Sequence, residues 1–98
     1  MLLFEWDPEK AKENLETHGI SFDEASTAFE DFLSLTIYDP LHSEEEDRFI
    51  LIGNSHRNRL LVVVHTDRIE NIRIVSARKA TNKERRQYEE NAKRPRHA

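Results

Sequence analysis

An α+β domain is predicted by three observations: two capped helical stretches near the start, four short β-branched and aromatic runs in the middle, and a basic helix after them. At 98 residues, 37% of them apolar, the chain can bury one modest core and is too short for two. Residues 1–91 are read as a single domain, and residues 92–98, "AKRPRHA", as a flexible basic tail.

After an apolar lead, Leu2 to Phe4, "DPEK" supplies Asp7 as N-cap, Pro8 at the first helical position and Glu9 in an acidic first turn. Ala11 and Leu15 share one face of that helix, which closes with His18 in its last turn and Gly19 as a left-handed cap. Ser21 and Glu24 then form a capping box, Ile20 can staple onto Ala25, and Phe22, Ala25, Phe29 and Phe32 follow a helical period. From Leu33 the pattern changes to "LSLTIYD", "DRFILIG", "RLLVVVHTD" and "NIRIVSAR", four strands. Their separators are short, and a parallel return needs about a dozen residues, so a four-stranded antiparallel sheet is expected. "LLVVV" is apolar in both phases, which suits a central strand. Thr81 and Glu84 form another capping box and start a C-terminal helix that runs to about Asn91.

Composition removes several function classes. Without cysteine there is neither a disulfide framework nor a thiolate zinc site, and a reducing, cytoplasmic setting is expected. The longest apolar run, Leu60 to Val64, falls far short of a membrane span, and "MLLFEWDPEK" does not read as a targeting segment, so the protein is expected to be soluble. Five scattered histidines with no H-x-x-x-H pair give no support for a metal site, and neither a phosphate-cradling glycine loop nor a G-x-S-x-G elbow is present.

The formal charge of −4 conceals a division along the chain. Residues 1–56 carry three Lys/Arg against 14 Asp/Glu, about −11, whereas residues 57–98 carry 12 against five, about +7. A basic half can serve a polyanion while the acidic half keeps the molecule soluble; solvated charges on ordinary helices are the plainer reading.

Within "IRIVSARK", Ile72 and Ile74 share one face and Arg73 points to the other with Val75 and Ala77. An arginine on a sheet needs an anionic partner, either a protein carboxylate or a bound phosphate. Arg78 and Lys79 stand where the strand turns into the next helix, whose N-terminal amides also attract phosphate. "HSEEEDR" brings His42, Glu46 and Arg48 to the mouth of the first hairpin, although successive glutamates in a turn are commonly just solvated. His18 can simply interact with its helix dipole, and His65 is either a satisfied core histidine or an acid/base facing a cleft.

Taken together, "FEWDPEKAKENLETHGISFDEA", "DPLHSEEEDRFILIGNS", "LLVVVHTDR" and "IRIVSARKATNKERRQYE" resemble, in order and spacing over residues 4–89, the BrnT family of toxins. The resemblance implies a RelE-like fold and a type II toxin-antitoxin toxin, an endoribonuclease that stops translation. It further implies neutralisation by a BrnA-like ribbon-helix-helix antitoxin, with operator DNA bound only through the toxin-antitoxin complex. The family's motif positions fall on Trp6, His18, His42, Glu46, Arg48, Arg73, Arg78 and Lys79. They do not extend cleanly to His65, where other aromatic residues are common, and Thr17 stands where that family often has lysine, leaving RNA contact at that corner open.

RNA can be cut without metal or cofactor when its 2′-OH attacks the adjacent phosphate, given a proton acceptor, a proton donor and cations for the phosphorane. Arg48, Arg73 and Arg78 suit the cationic role, and His42 or Glu46 the base or acid. Trp6, His18, Lys79, Lys83, Arg85 and Arg86 are candidate RNA contacts. The rival class is a non-catalytic module whose basic C-terminal helix docks RNA or a protein partner.

Overall fold

In the computed structural model, which describes residues 2–43 and 46–94, local chemistry sets the ends of the helices. The Asp7 carboxylate accepts from the Glu9 amide at 2.8 Å to open α1, Pro8–His18, and Gly19, at φ 70°, closes it by donating its N–H to the Leu15 carbonyl. Ser21 Oγ caps α2, Phe22–Thr27, through the Glu24 amide at 3.0 Å. That box is only half made, because the Glu24 side chain turns away to Arg59 and Ser55. At α3, Asn82–Lys93, both halves of the Thr81/Glu84 box are present. Residues 92 and 93, expected in the tail, are the last of that helix, and residues 95–98 lie outside the described residues.

The five strands are β1 (Phe4–Glu5), β2 (Leu35–Asp39), β3 (Arg48–Asn54), β4 (Leu60–Asp67) and β5 (Ile72–Lys79), in the sheet order β1-β5-β4-β3-β2. β2 to β5 form the expected antiparallel meander, but the sheet is five-stranded and mixed: β1 runs parallel to β5, with Ile72 N–H donating to the Leu3 carbonyl at 2.8 Å. The expectation of four antiparallel strands is corrected there. Two residues are too few to show strand periodicity, and the return to β5 spans most of the chain.

Helices α1 and α2 cover one sheet face. Ile20, Phe22, Ala25 and Ala28 pack there on Leu51, Leu61, Val63, Ile74 and Ala77. The expected aromatic stripe breaks after Phe29, because α2 tightens into a 3₁₀ turn, Ala28–Glu30, and Phe32 ends 83% exposed. In α1 the inward position is Asn14, not Leu15, which is 52% exposed. On the opposite face, α3 sets Tyr88 against Ile52, Leu60 and Val62, and Tyr88 Oη donates to Asp31 Oδ2 at 2.6 Å.

A bulge re-aims β5. Ser76 pairs with Val64 and Ile74 with His65, so Val75 is the extra residue. Ala77 therefore falls on the same face as Ile74, correcting the strict alternation that put it with Arg73.

Candidate active site on the open sheet face

Strand register assembles the site. Asp39 pairs with Arg48, Arg48 with Thr66, Thr66 with Arg73, and Arg73 with Glu5, so five polar side chains cross one face of the sheet in a single row. Toward α3 the next rows are apolar across β2, β3 and β4, Ile37–Ile50–Val64 and then Leu35–Ile52–Val62, and end on β5 in Ser76 and Arg78. Helix α3 covers that apolar end, where Tyr88 meets Ile52, Leu60 and Val62, and the charged row lies at the other end of the face.

Arg73 is half-buried, and its Nη1 lies 3.3 Å from Glu5 Oε2. Of the two partners open to it from sequence, a protein carboxylate or a phosphate, the free protein supplies the carboxylate. Arg48 is also half-buried and its guanidinium forms no ion pair among the described residues, while its backbone N–H donates to Ser43 Oγ at 2.9 Å. Between them Thr66 is 2% exposed, and its Oγ1 has no hydrogen-bond partner. A buried hydroxyl left unpaired costs about 1–3 kcal/mol.

His42 stands at the β2 end of the row, in the 3₁₀ turn Pro40–His42. Its Nδ1 is 2.8 Å from Asp39 Oδ2, while its side chain is 66% exposed, so the carboxylate orients the ring and leaves Nε2 to solvent. Glu46 is exposed and accepts from Arg68 Nη2 at 3.1 Å; Arg68 Nε also reaches Glu5 Oε1 at 3.4 Å. The β2–β3 turn, the β4–β5 turn and β1 are thus tied together at the same end of the sheet. Glu44 and Glu45, the rest of the acidic turn, lie outside the described residues.

The remaining candidates are dispersed. Arg78 pairs in register with Val62, four residues from Thr66, or roughly 13 Å along the strand. Both its terminal nitrogens are held by the Glu84 carboxylate at 2.8 Å, a fork that pulls the Glu84 pKa down to about 2. Lys79, Lys83, Arg85 and Arg86 are exposed around the start of α3. Trp6 packs into the first core, edge-on to Phe22 with centroids 5.9 Å apart. His18 borders a shallow depression of about 280 Å³ with Lys10, Glu13, Thr17, Val75 and Ser76, the last two just beyond Arg73 on β5.

His65 belongs to the packed face. It is 3% exposed, stacked on Phe49 at 5.9 Å and edge-on to Phe29 at 4.8 Å, and burial pushes its pKa below the usual value. Of its two readings, core histidine holds. Among the described residues no group of three or more His, Asp or Glu side chains could hold a metal ion, and no helix is long and apolar enough to cross a membrane.

Sequence reasoning missed Glu5, Asp39, Thr66 and Asn14. Asp39 was legible as a carboxylate three residues before His42. Glu5 and Thr66 needed the register of β1 and β4. Asn14, on the phase of Ala11, is a polar side chain in an apolar position, and its amide pairs with both the N–H and the C=O of Ala77, at 3.0 and 2.8 Å.

A search of curated proteins returns no match. The 1.1 Å crystal structure of the Brucella abortus ribonuclease toxin BrnT superposes with a TM-score of 0.61 at 26% identity, covering 84% of this chain and all of that one. The family model described as "Ribonuclease toxin, BrnT, of type II toxin-antitoxin system" matches residues 6–84, most of the chain and nearly all of the sheet. By that match and by its α+β fold, the chain belongs to the BrnT family of ribonuclease toxins of type II toxin-antitoxin systems.

Proposed function

We propose that this toxin cuts RNA without a metal ion, at the charged row across the open sheet face, and thereby arrests translation. The observation that carries the reading is the placement of Arg48 and Arg73 on one face, two strand spacings apart, with the Asp39-oriented His42 at the end of the same row. At ~4.8 Å per strand the two arginines stand ~10 Å apart at Cα, a span that both guanidiniums can close on one phosphate.

The RNA 2′-oxygen attacks the adjacent phosphorus, and the bond to the 5′-oxygen breaks, leaving a cyclic phosphate and a 5′-hydroxyl. Of His42 and Glu46, one takes the 2′-OH proton and the other protonates the departing oxygen. Arg48 and Arg73 stabilise the extra charge on the phosphorane. Arg73 exchanges Glu5 for the phosphate as RNA binds. Arg78, too distant for the same phosphate, extends a backbone track with Lys79, Lys83, Arg85 and Arg86; Trp6 supports the fold, and His18 stands by the depression that Val75 and Ser76 of β5 also line.

The partner that silences the toxin is a BrnA-like ribbon-helix-helix antitoxin, and the complex binds operator DNA through the antitoxin. The test is incubation of purified protein with RNA in EDTA, alongside Arg73→Ala and Arg48→Ala. Wild type cuts, and each variant keeps its circular-dichroism spectrum while losing at least about 10²-fold in rate. Binding without cutting would favour the non-catalytic module, a reading supported by the carboxylates already seated on Arg73 and Arg78.

A further inference from the structure

Thr66 sits at the centre of the charged row, in register with Arg48 on one side and Arg73 on the other. It lies on the same face as Val62 and Val64, in a strand where packing favours β-branched apolar side chains. Valine has nearly the same shape as threonine and would leave nothing unpaired, yet the chain carries a hydroxyl. That Oγ1 is the one buried side-chain polar atom without a hydrogen-bond partner among the described residues. Its two register neighbours are half-buried cations, one with no ion pair among the described residues and one held by a single carboxylate contact at 3.3 Å. An orphaned donor between two guanidiniums has the chemistry of an incomplete anion site, because arginine supplies donors and no acceptor.

We propose that Thr66 is a third phosphate ligand, its hydroxyl donating to a non-bridging oxygen of the RNA phosphate that Arg48 and Arg73 hold. This rests on the assignment of the row as the RNA-cleaving site. In the free protein Thr66 is almost wholly covered, so the flanking side chains part as Arg73 moves from Glu5 to the phosphate. The hydroxyl then gains the partner it lacks. It fixes the rotation of the phosphate about the line between the two arginines and so aligns the 2′-oxygen with the bond that breaks.

The experiment compares wild type, Thr66→Val, Thr66→Ser and Arg73→Ala in RNA cleavage, in thermal unfolding, and in side-chain NMR titration with inorganic phosphate. Thr66→Val is expected to unfold at the same or a higher temperature than wild type, because an unsatisfied polar group is gone. Its kcat/KM falls about 10- to 100-fold, as for a hydrogen bond to a charged group, and its phosphate affinity weakens about tenfold. Thr66→Ser, which restores the hydroxyl, stays within about threefold of wild type in kcat/KM. In wild type, phosphate shifts the Thr66 methyl and the Arg48 and Arg73 Nε resonances together. If Thr66→Val fails to fold, Thr66→Ala and Thr66→Ser replace it as a pair differing by the hydroxyl alone. Wild-type cleavage by Thr66→Val with loss in Arg73→Ala overturns the Thr66 assignment and leaves the row standing. Unchanged cleavage in both removes the row itself, and a wild-type Thr66 resonance indifferent to phosphate overturns the ligand assignment whatever the cleavage shows.

Discussion

Asn14 does for β5 what a longer β1 would have done. After Arg73 the outer edge of β5 has no strand beside it among the described residues, and the Asn14 amide satisfies both backbone groups of Ala77 while also donating to the Ile20 carbonyl at 2.9 Å. Asn14→Ala should leave those buried groups unpaired and lower stability by about 2–4 kcal/mol, read from the denaturant midpoint with an unchanged m-value. His65 makes a second prediction. Burial lowers its folded pKa below 6.5, so the unfolded chain takes up the proton first; its contribution is complete above pH 6.5 and declines as pH falls below it. Unfolding curves of His65→Phe should show a weaker loss of stability below that pH than wild type, and an unaltered pH profile would mean that the ring takes up its proton as readily in the fold as in the unfolded chain.

At the scale of elements, Glu84 joins two structures, α3 and β5. It completes the α3 capping box with Thr81 and forks onto Arg78 of β5, and Arg78 comes first among the causes that hold its pKa near 2. A depressed carboxylate stabilises fully above its unfolded value of 4.5, and that stabilisation is lost as pH falls from there toward 2. Glu84→Gln should therefore be less stable than wild type at neutral pH, by about 1–2 kcal/mol for a partly exposed fork, with the gap closing toward pH 2. Helix ends and the meander are legible in the sequence because they depend on residues within a few positions of each other. Asp7, Gly19, Thr81 and Glu84 act where expected, and the hairpin strands shift by no more than two residues at either end. β1 and the Val75 bulge are not legible there, since both exist only through pairing with distant strands.

Across the whole molecule, some cations of the basic half stay exposed and others serve the acidic half. Lys83, Arg85 and Arg86 are exposed on α3 and form no ion pair among the described residues, whereas buried Glu24 of the acidic half is matched with Arg59 and Arg57. Replacing the three cations with glutamine should weaken RNA binding uniformly across sequences. It should also reduce the slope of log affinity against log salt by about 0.7 for each phosphate no longer neutralised, measured by fluorescence anisotropy in a salt series. Expression of the chain alone in a bacterial host should arrest growth, and co-expression of its antitoxin should relieve the arrest. Colony counts with and without induction check both.

The class of fold, the helix caps, the antiparallel meander and the family all follow from the amino-acid order alone, because each depends on local spacing or on motif residues in fixed succession. The same order singles out Arg48, Arg73 and His42, whose residue types are uncommon on a sheet or in a tight acidic turn. Which of these stand together is settled in three dimensions. The β3–β4 and β4–β5 registers put Arg48, Thr66 and Arg73 in one row, β1 brings Glu5 to Arg73, and the bulge at Val75 sets which face each β5 side chain reaches. Register is a long-range choice: a one-residue slip would send every side chain of a strand to the other face, and burial of the whole apolar face against α1 and α2 is what holds it.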